Sequence, residues 1–592
     1  MPSDPSMHPT TPALAASGPT PFPLGLAATM PPHWPDAASA PSLAMFPAPP
    51  LSPTTSIDCA DQQLQATLAR LTGGISPLTL GLANADWALH LLASPAKWQR
   101  LLHGAAGVQL RLLGHAARSM GQLVGPPQPV LAAPAQERRF RHPAWRAWPY
   151  SLYQRSYLLN RQWWDAATSG VPGVSEQHER LVGLVTHQLL DLFAPSNNIF
   201  TSPDVLDATL REGGQNLVRG TIALLEDLDN QVQHLPPPGA EQFVPGKQVA
   251  LTRGKVIFRN RLIELLQYLP LTDDVHPQPL LIVPAWDSKY YLLDLSRRNS
   301  LVSHLVHQGH TVFMLSWYNP HAAEPDLAPE HYLAALAAAA GAVRAIVPGQ
   351  AIHAVAHGAG ATLPLLAAAS DAVAPYASLS LLLPQTDFTL AADLLRRTAG
   401  AATTRIMHEY LLGQRAPLTD LDAWRADRPR VPYRMQREQL RALLPDASLG
   451  SGRLRLHGRT LALHTIRAPV FVLGAEHAAT LPWHDSYQLK RSFDTALTFV
   501  LAGGDQDTAL LSVPGTGPAH FRLGHWPDGS RHDDAARWYH STAPVDGSWW
   551  PSWLAWLAGP APAPMAAPPA VGAPGAGYPV LAAAPGAYVL QR

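Results

Sequence analysis

The sequence predicts an α/β fold: a mostly parallel sheet covered on both faces, behind a helical N-terminal unit. Three observations carry this. Short apolar runs such as Pro279–Pro284 and Ala468–Gly474 are continuous, as in strands buried on both faces. Beyond about residue 280 such runs alternate with helix-period segments, the pattern of a parallel sheet with crossover helices. One run, Ala351–His357, meets the small-residue turn Gly358-Ala359-Gly360-Ala361 and then a second apolar run, Leu363–Ala369. That order reads as a buried strand, a sharp turn and a helix.

Residues 1–78 are rich in Pro, Ala, Ser and Thr and are expected to be disordered, because they bury too little apolar surface to offset ordering entropy. Cys59, the only cysteine, falls there, so no disulfide within the chain is available and no base is at hand to activate the thiol. Residues 79–240 read as all-helical. Trp87–Pro95, Trp98–Leu102 and 105–124 have helical spacing, and Pro126–Pro134 is a joint. An aromatic-dense stretch follows from Trp145 to Trp164, then an amphipathic helix over 175–194. Segment 204–229 is expected as two helices separated by Gly213-Gly214.

Near Phe243 the period changes to two. Val249–Phe258 reads as a hairpin continued by Leu262–Tyr268. Expected strands are 279–284, 311–316, 351–357, 378–383, 468–474 and 497–501, with helices over 292–308 and 332–347. The α/β region is expected to occupy 241–560, and the Pro/Ala/Gly-rich residues 561–592 read as a flexible tail.

Lys+Arg and Asp+Glu are both 43, giving a formal net charge of zero and no electrostatic case for nucleic acid or an anionic membrane surface. Hydrophobic content is 47% and charged content 15%, which fits association with something apolar. No apolar run reaches transmembrane length, and Met1–Pro5 lacks the charged start of a signal peptide, so a cytoplasmic location is expected. No cofactor or metal is expected. His353 and His357 have the H-x-x-x-H spacing, but that spacing joins two ligands only on a helix, and here it lies on a strand.

The strand-turn-helix has the frame of a nucleophile elbow, G-x-nucleophile-x-G, in which a strained turn lifts the attacking side chain above an α/β-hydrolase sheet. The window is Ala356-His357-Gly358-Ala359-Gly360, and the nucleophile position holds Gly358. Glycine has no side chain with which to attack a carbonyl.

Several stretches resemble the polyhydroxyalkanoate synthases. They are Arg139-Phe140 with Pro143-Ala144-Trp145, Pro195-Ser196-Asn197, Gly213–Gly220, Leu225–Leu228, Lys289–Leu295, Gln308–Phe313, Ser316–Pro320 and Gly547–Pro551. An echo recurs at Ala584–Val589. The resemblance implies an α/β-hydrolase fold behind a helical domain. It also implies a cysteine that carries the acyl chain, a histidine that deprotonates thiol and hydroxyl, and an aspartate that supports the histidine. The family's cysteine position is Gly358. Counting back from Pro482-Trp483 puts Ala478 at the aspartate position, and counting from Phe499–Leu501 puts Gln506 at the histidine position. The family's insertion over the active site is also cut down between Thr386 and Tyr410. The loop near the expected oxyanion hole reads Pro284-Ala285-Trp286-Asp287-Ser288-Lys289.

A general acid/base site rebuilt from other residues would draw on His357, His477, Asp505 and Asp507. Thr362 and Ser370 lie further along the elbow helix, turned away. The reading is a synthase-like chain of polyhydroxybutyrate metabolism that has lost the polymerising triad. It would act as partner or regulator of an active synthase, as a homo- or heterodimer, or at the polymer granule surface. The alternative is an active acyltransferase or hydrolase with a rebuilt site.

Overall fold

The computed structural model describes residues 77–121, 138–370, 376–384, 405–435, 455–456, 459–460, 463–527 and 534–591, less 234, 322–323, 325–326, 433, 479–482, 518 and 562. The expected disordered segment 1–78 lies outside the described residues up to 76, as do Cys59 and the shortened insertion from 385 to 404.

Six helices open the described chain: α1 (Pro77–Leu92), α2 (Pro95–Gly121), α3 (Tyr150–Thr168), α4 (Glu176–Leu192), α5 (Pro203–Arg211) and α6 (Gln215–Val232). The segments 98–102 and 105–124, expected to be separate, form one helix, because no proline interrupts the run from Ala96 to Gly121. The break at Gly213-Gly214 is present, and both glycines have positive φ. The aromatic stretch is partly core: Trp145 and Tyr157 are buried, whereas Trp148 and Tyr153 are exposed. Trp145 meets Phe140 edge-on at 4.8 Å, and its indole donates to Asp204 at 2.9 Å.

Among the described residues the main sheet has eleven strands: β1 (Gly254–Arg259), β2 (Ile263–Tyr268), β3 (Leu280–Val283), β4 (Val312–Trp317), β5 (His353–His357), β6 (Ser378–Leu382), β7 (Val470–Ala475), β8 (Leu497–Ala502), β9 (His520–Trp526), β10 (Val545–Asp546) and β11 (Ala582–Ala583). Their order across the sheet is β10-β9-β8-β7-β6-β5-β3-β4-β2-β1-β11. The first eight therefore run 1-2-4-3-5-6-7-8. Strands β3 to β8 are mutually parallel and β2 is antiparallel to β4. This is the α/β-hydrolase fold.

The buried strands divide their residues by the two-residue period. Leu281, Val283, Ala354, Ala356, Val470 and Val472 enter one core, and Leu280, Ile282, Val355, Phe471 and Leu473 enter the other. Helices α8 (Pro329–Ile346) and α9 (Thr362–Ala369) contribute to the first core. Helices α7 (Leu301–His307) and α14 (Trp550–Ala558) contribute to the second. Between them lie α10 (Asp420–Ala426), α11 (Trp483–Gln488), α12 (Gln506–Leu510) and α13 (Ala535–Ser541). Trp549, Trp550 and Trp553 are fully buried, and each indole N–H has an acceptor (Ala509 O, Leu510 O and Ser380 Oγ), so this tryptophan cluster is core and not contact surface. Among the described residues, no helix is long and apolar enough to cross a membrane.

Two expectations are corrected. The helix expected over 292–308 begins only at Leu301. Before it, the buried Asp294 carboxylate accepts from the hydroxyls of Thr252 at 2.5 Å and Ser300 at 2.7 Å, which pulls the chain into a short hairpin, Asp294–Ser296 with Asn299–Ser300. The tail 561–592 does not dangle: β11 pairs antiparallel with β1, and Val589 is buried. Composition alone suggests flexibility there, but main-chain hydrogen bonds to the sheet edge hold a segment regardless of its side chains.

Candidate functional site

The catalytic edge of such a sheet is the carboxyl end of its parallel strands, and the elbow stands there, directly after β5. Gly358–Ala361 forms a single 3₁₀ turn, all of it buried, leading into α9. Gly358 has φ +55°, the left-handed conformation that an elbow imposes on its nucleophile. A Cβ added there would meet only the Cβ of Ala285, at 3.6 Å, an ordinary contact. Two residues on, a Cβ at Gly360 would stand 2.4 Å from the Pro284 carbonyl oxygen, so this position has to be glycine for the turn to sit against the loop after β3. The strand-turn-helix of an elbow is present, with Ala356 at the first glycine position and no attacking group at Gly358.

Loops after β7 and β8 bring up the other two positions. Ala478 follows β7, is partly buried and packs on the second core. Gln506 opens α12, which follows β8. Gly358, Ala478 and Gln506 thus lie beyond the carboxyl ends of β5, β7 and β8 on one edge of the sheet, in the chain order nucleophile, acid, base of an α/β-hydrolase. The side chains there are a hydrogen, a methyl and a carboxamide.

Of the rebuilt-site candidates, the structure brings His477 beside Asp505, its amide donating to the Gly504 carbonyl at 2.9 Å, while His357 stands at the end of β5. His357 is buried there, burial alone pushes its imidazole down to about 4, and its Nε2 has no hydrogen-bond partner among the described residues. His353 lies four residues earlier on the same strand, roughly 13 Å away at the strand rise, and its Nδ1 contacts Ser378 Oγ at 2.7 Å. His477 is exposed. Asp505 caps α12, accepting from the Thr508 amide at 2.9 Å and from its hydroxyl at 2.5 Å. Asp507 accepts from Arg425 at 2.5 and 3.0 Å. Thr362 and Ser370 donate to the helix carbonyls of Ala359 and Leu366. Among the described residues, no group of His, Cys, Asp and Glu is arranged to hold a metal ion.

Glu476, at the end of β7, pairs with His520 Nε2 at 2.9 Å and takes a short hydrogen bond from Tyr539. Burial would raise its carboxyl pKa, but the bonds from Tyr539 and His520 outweigh burial and hold it below the usual value. His520 stands on β9, four inter-strand steps from β5 or roughly 19 Å at the usual spacing, and Glu476 follows β7, two steps from β5. Sequence reasoning did not single out His520. It stands 44 positions from Glu476, and only the antiparallel return of β9 onto β8 brings the two together.

The stretches that carry the synthase resemblance hold the structure together. Asn216 on α6 donates to the Leu411 carbonyl at 2.8 Å, and Tyr410 donates to Asp227 at 2.8 Å. Arg415 pairs with Asp227 at 2.7 Å and Glu226 at 3.1 Å. The helical unit is thereby a seat for the π-helical turn Ile406–Leu411, where the chain returns after the shortened insertion.

Comparison with known proteins decides the family. The poly(3-hydroxyalkanoate) polymerase of Methylorubrum extorquens is 32% identical over 506 residues, which cover 78% of this chain and 82% of that one. The poly(3-hydroxyalkanoate) polymerase subunit of Cupriavidus necator is 31% identical over 502 residues, 78% of this chain and 84% of that one. This chain belongs to the poly(3-hydroxyalkanoate) polymerase family. Two family descriptions match parts of it: the poly-beta-hydroxybutyrate polymerase N-terminus over residues 136–305, and the poly-beta-hydroxybutyrate polymerase N terminal over 56–97. Among solved structures, mouse alpha/beta hydrolase domain-containing protein 10 is 14% identical with a TM-score of 0.26, covering 43% of this chain and 90% of its own. So low a score carries no weight, and the hydrolase fold of this synthase relative rests on its strand order.

Proposed function

We propose that this synthase relative takes part in polyhydroxyalkanoate metabolism without polymerising hydroxyacyl-CoA thioesters itself, as a partner or regulator of an active synthase. One observation carries the reading: an elbow turn with a hydrogen where the thiolate must be. A chain-bearing thioester needs a side-chain nucleophile at that turn. The carboxamide of Gln506 does not take up a proton near neutral pH, so it cannot stand in for an imidazole base. The methyl of Ala478 cannot orient one.

An apolar contact suits the helical unit. On α6, Val218, Ile222, Leu225 and Val232 fall within one stripe of the helix and are all exposed, opposite the face that seats the return turn. A synthase subunit or the polymer surface would cover such a stripe, which fits a cytoplasmic protein at granules. The competing reading is an acyltransferase or hydrolase with a rebuilt site. It has the Glu476–His520 pair in its favour, a carboxylate and an imidazole on strands away from the elbow strand itself.

The test is CoA release from 3-hydroxybutyryl-CoA, read with a thiol dye on the Cys59→Ser chain, alone and mixed with an active synthase. The expected result is no release alone and a changed rate or lag in the mixture. Steady release by the chain alone would overturn the proposal and direct attention to His357 and to Glu476 with His520. No effect in either assay would overturn the partner role.

A further inference from the structure

Residues 581–591 lie along a surface that holds them chiefly by their main chain. The Leu581 amide donates to the Val256 carbonyl at 2.8 Å and the Ala584 amide to the Gly254 carbonyl at 2.9 Å, adding β11 to the edge of β1. Glu264, fully buried on β2, then accepts the amides of Ala587 and Tyr588 at 2.8 and 2.9 Å on one carboxylate oxygen. Its other oxygen faces Arg259. A Cβ on Gly586 would fall 2.3 Å from that same carboxylate, so the site reads glycine at this position. Further on, the buried Lys289 ammonium donates to the carbonyls of Val589 at 2.7 Å and Gln591 at 2.8 Å, and pairs with Asp427 at 2.8 Å. The Gln591 side chain accepts the Asn319 amide at 2.9 Å, and the Tyr588 hydroxyl donates to Asn260 O at 2.6 Å.

Two buried charges of opposite sign thus face peptide groups of matching polarity: a carboxylate on two amides, an ammonium on two carbonyls. A buried charge without such partners is strongly unfavourable. Lys289 also ends the loop that begins at Pro284, and Pro284 and Ala285 are the residues that back the elbow.

We propose that the edge formed by β1, Glu264 and Lys289 is a peptide-binding site whose ligand is the extended segment 581–591. The segment behaves as a separable ligand, so the same segment of a second copy of this chain can replace it, and its occupancy fixes the 284–289 loop against the elbow. The ligand class is an extended peptide with a glycine at the carboxylate and a buried β-branched residue at the lysine. The proposal stands whether or not the chain turns over a thioester.

The test uses the full chain with a protease site built into the exposed turn at Pro574–Gly577. After cleavage, the released segment should stay with the body through size exclusion and exchange for a labelled peptide of residues 578–592. A peptide carrying Gly586→Val should compete at least about tenfold more weakly. Loss of the segment from a body that keeps its circular dichroism and melting temperature would overturn the proposal. Equal competition by the Gly586→Val peptide would overturn it too. Should the cleaved body unfold, the uncleaved Glu264→Gln chain decides. Hydrogen exchange at Ala587, Tyr588 and the 284–289 loop should quicken about tenfold or more while β5 stays protected. Unchanged exchange at those sites overturns the proposal.

Discussion

The loop from Pro284 to Lys289 has two ends in contrasting surroundings. At the elbow end, a Cβ placed on Gly358 would meet the Ala285 methyl and nothing polar. At the other end, Lys289 is held by two carbonyls and a carboxylate, and a short way across the sheet edge Glu264 is held by an arginine and two amides. The lysine end is held by buried charges and main-chain groups, whereas the elbow end offers only a methyl. The two ends carry different constraints: one is fixed by charge, the other only by close packing.

The sharpest way to break this comparison is at Glu264. Replacing it with alanine leaves the partly exposed Arg259 without its carboxylate and strips two tail amides of their acceptor. A buried amide left without an acceptor costs about 1–3 kcal/mol, so the two together are expected to take about 3–5 kcal/mol from the urea unfolding free energy. A loss under about 1 kcal/mol would show that the clasp contributes little to the fold.

Next in size is the elbow strand in acid. The folded value of His357 is near 4, lowered by burial, whereas an unfolded histidine takes up its proton near 6.5. Between those values the unfolded chain binds more protons than the folded one, so stability falls as pH drops from about 6.5 to 4 and is level above. The expected loss from His357 is on the order of 3 kcal/mol by about pH 4. His310 and His353, also buried and lowered to about 3 and 4, act in the same direction. Substituting His357→Gln should flatten the profile of urea midpoint against pH, and an unchanged slope would mean that the ring is solvated in the native state.

Much of this was legible beforehand. The continuous apolar runs give the parallel strands because a strand buried on both faces has no polar alternation to show. The turn after His357 could be read because small residues have few reasons to cluster except close approach. The tail could not be read, since Glu264 and Lys289 bind peptide groups that every sequence possesses. Nor could the partner of Glu476, which depends on where β9 returns. Gly358, Ala478 and Gln506 follow from counting from landmarks in the resemblance. The geometry of Gly358 adds a reason that counting cannot supply, namely a left-handed backbone with room for a side chain.

That reason yields a paired test within the elbow. Gly360→Ala drives a Cβ into the Pro284 carbonyl and should cost about 2–3 kcal/mol in urea unfolding. Gly358→Cys meets only a methyl at van der Waals distance and loses stability only through its positive φ, about 1–2 kcal/mol. If the two substitutions cost the same, the nucleophile position is no more open than its neighbour. The case for a vacated site, distinct from a merely tight turn, then weakens.

The smallest expected effect separates the two functional readings most cleanly. Asp507 lies one residue past the position that the resemblance assigns to the histidine, so a rebuilt acid/base site would need it ionised. In the structure its carboxylate is taken by Arg425, a half-exposed partner. Asp507→Asn keeps the shape, removes the charge and should cost under about 1 kcal/mol, as loss of a partly exposed ion pair does. Any CoA release or modulation of an active synthase should then be unchanged. A fall of about tenfold or more at nearly constant melting temperature would place Asp507 in a working site, because a charge that only steadies α12 against α10 has no means to alter turnover without altering stability.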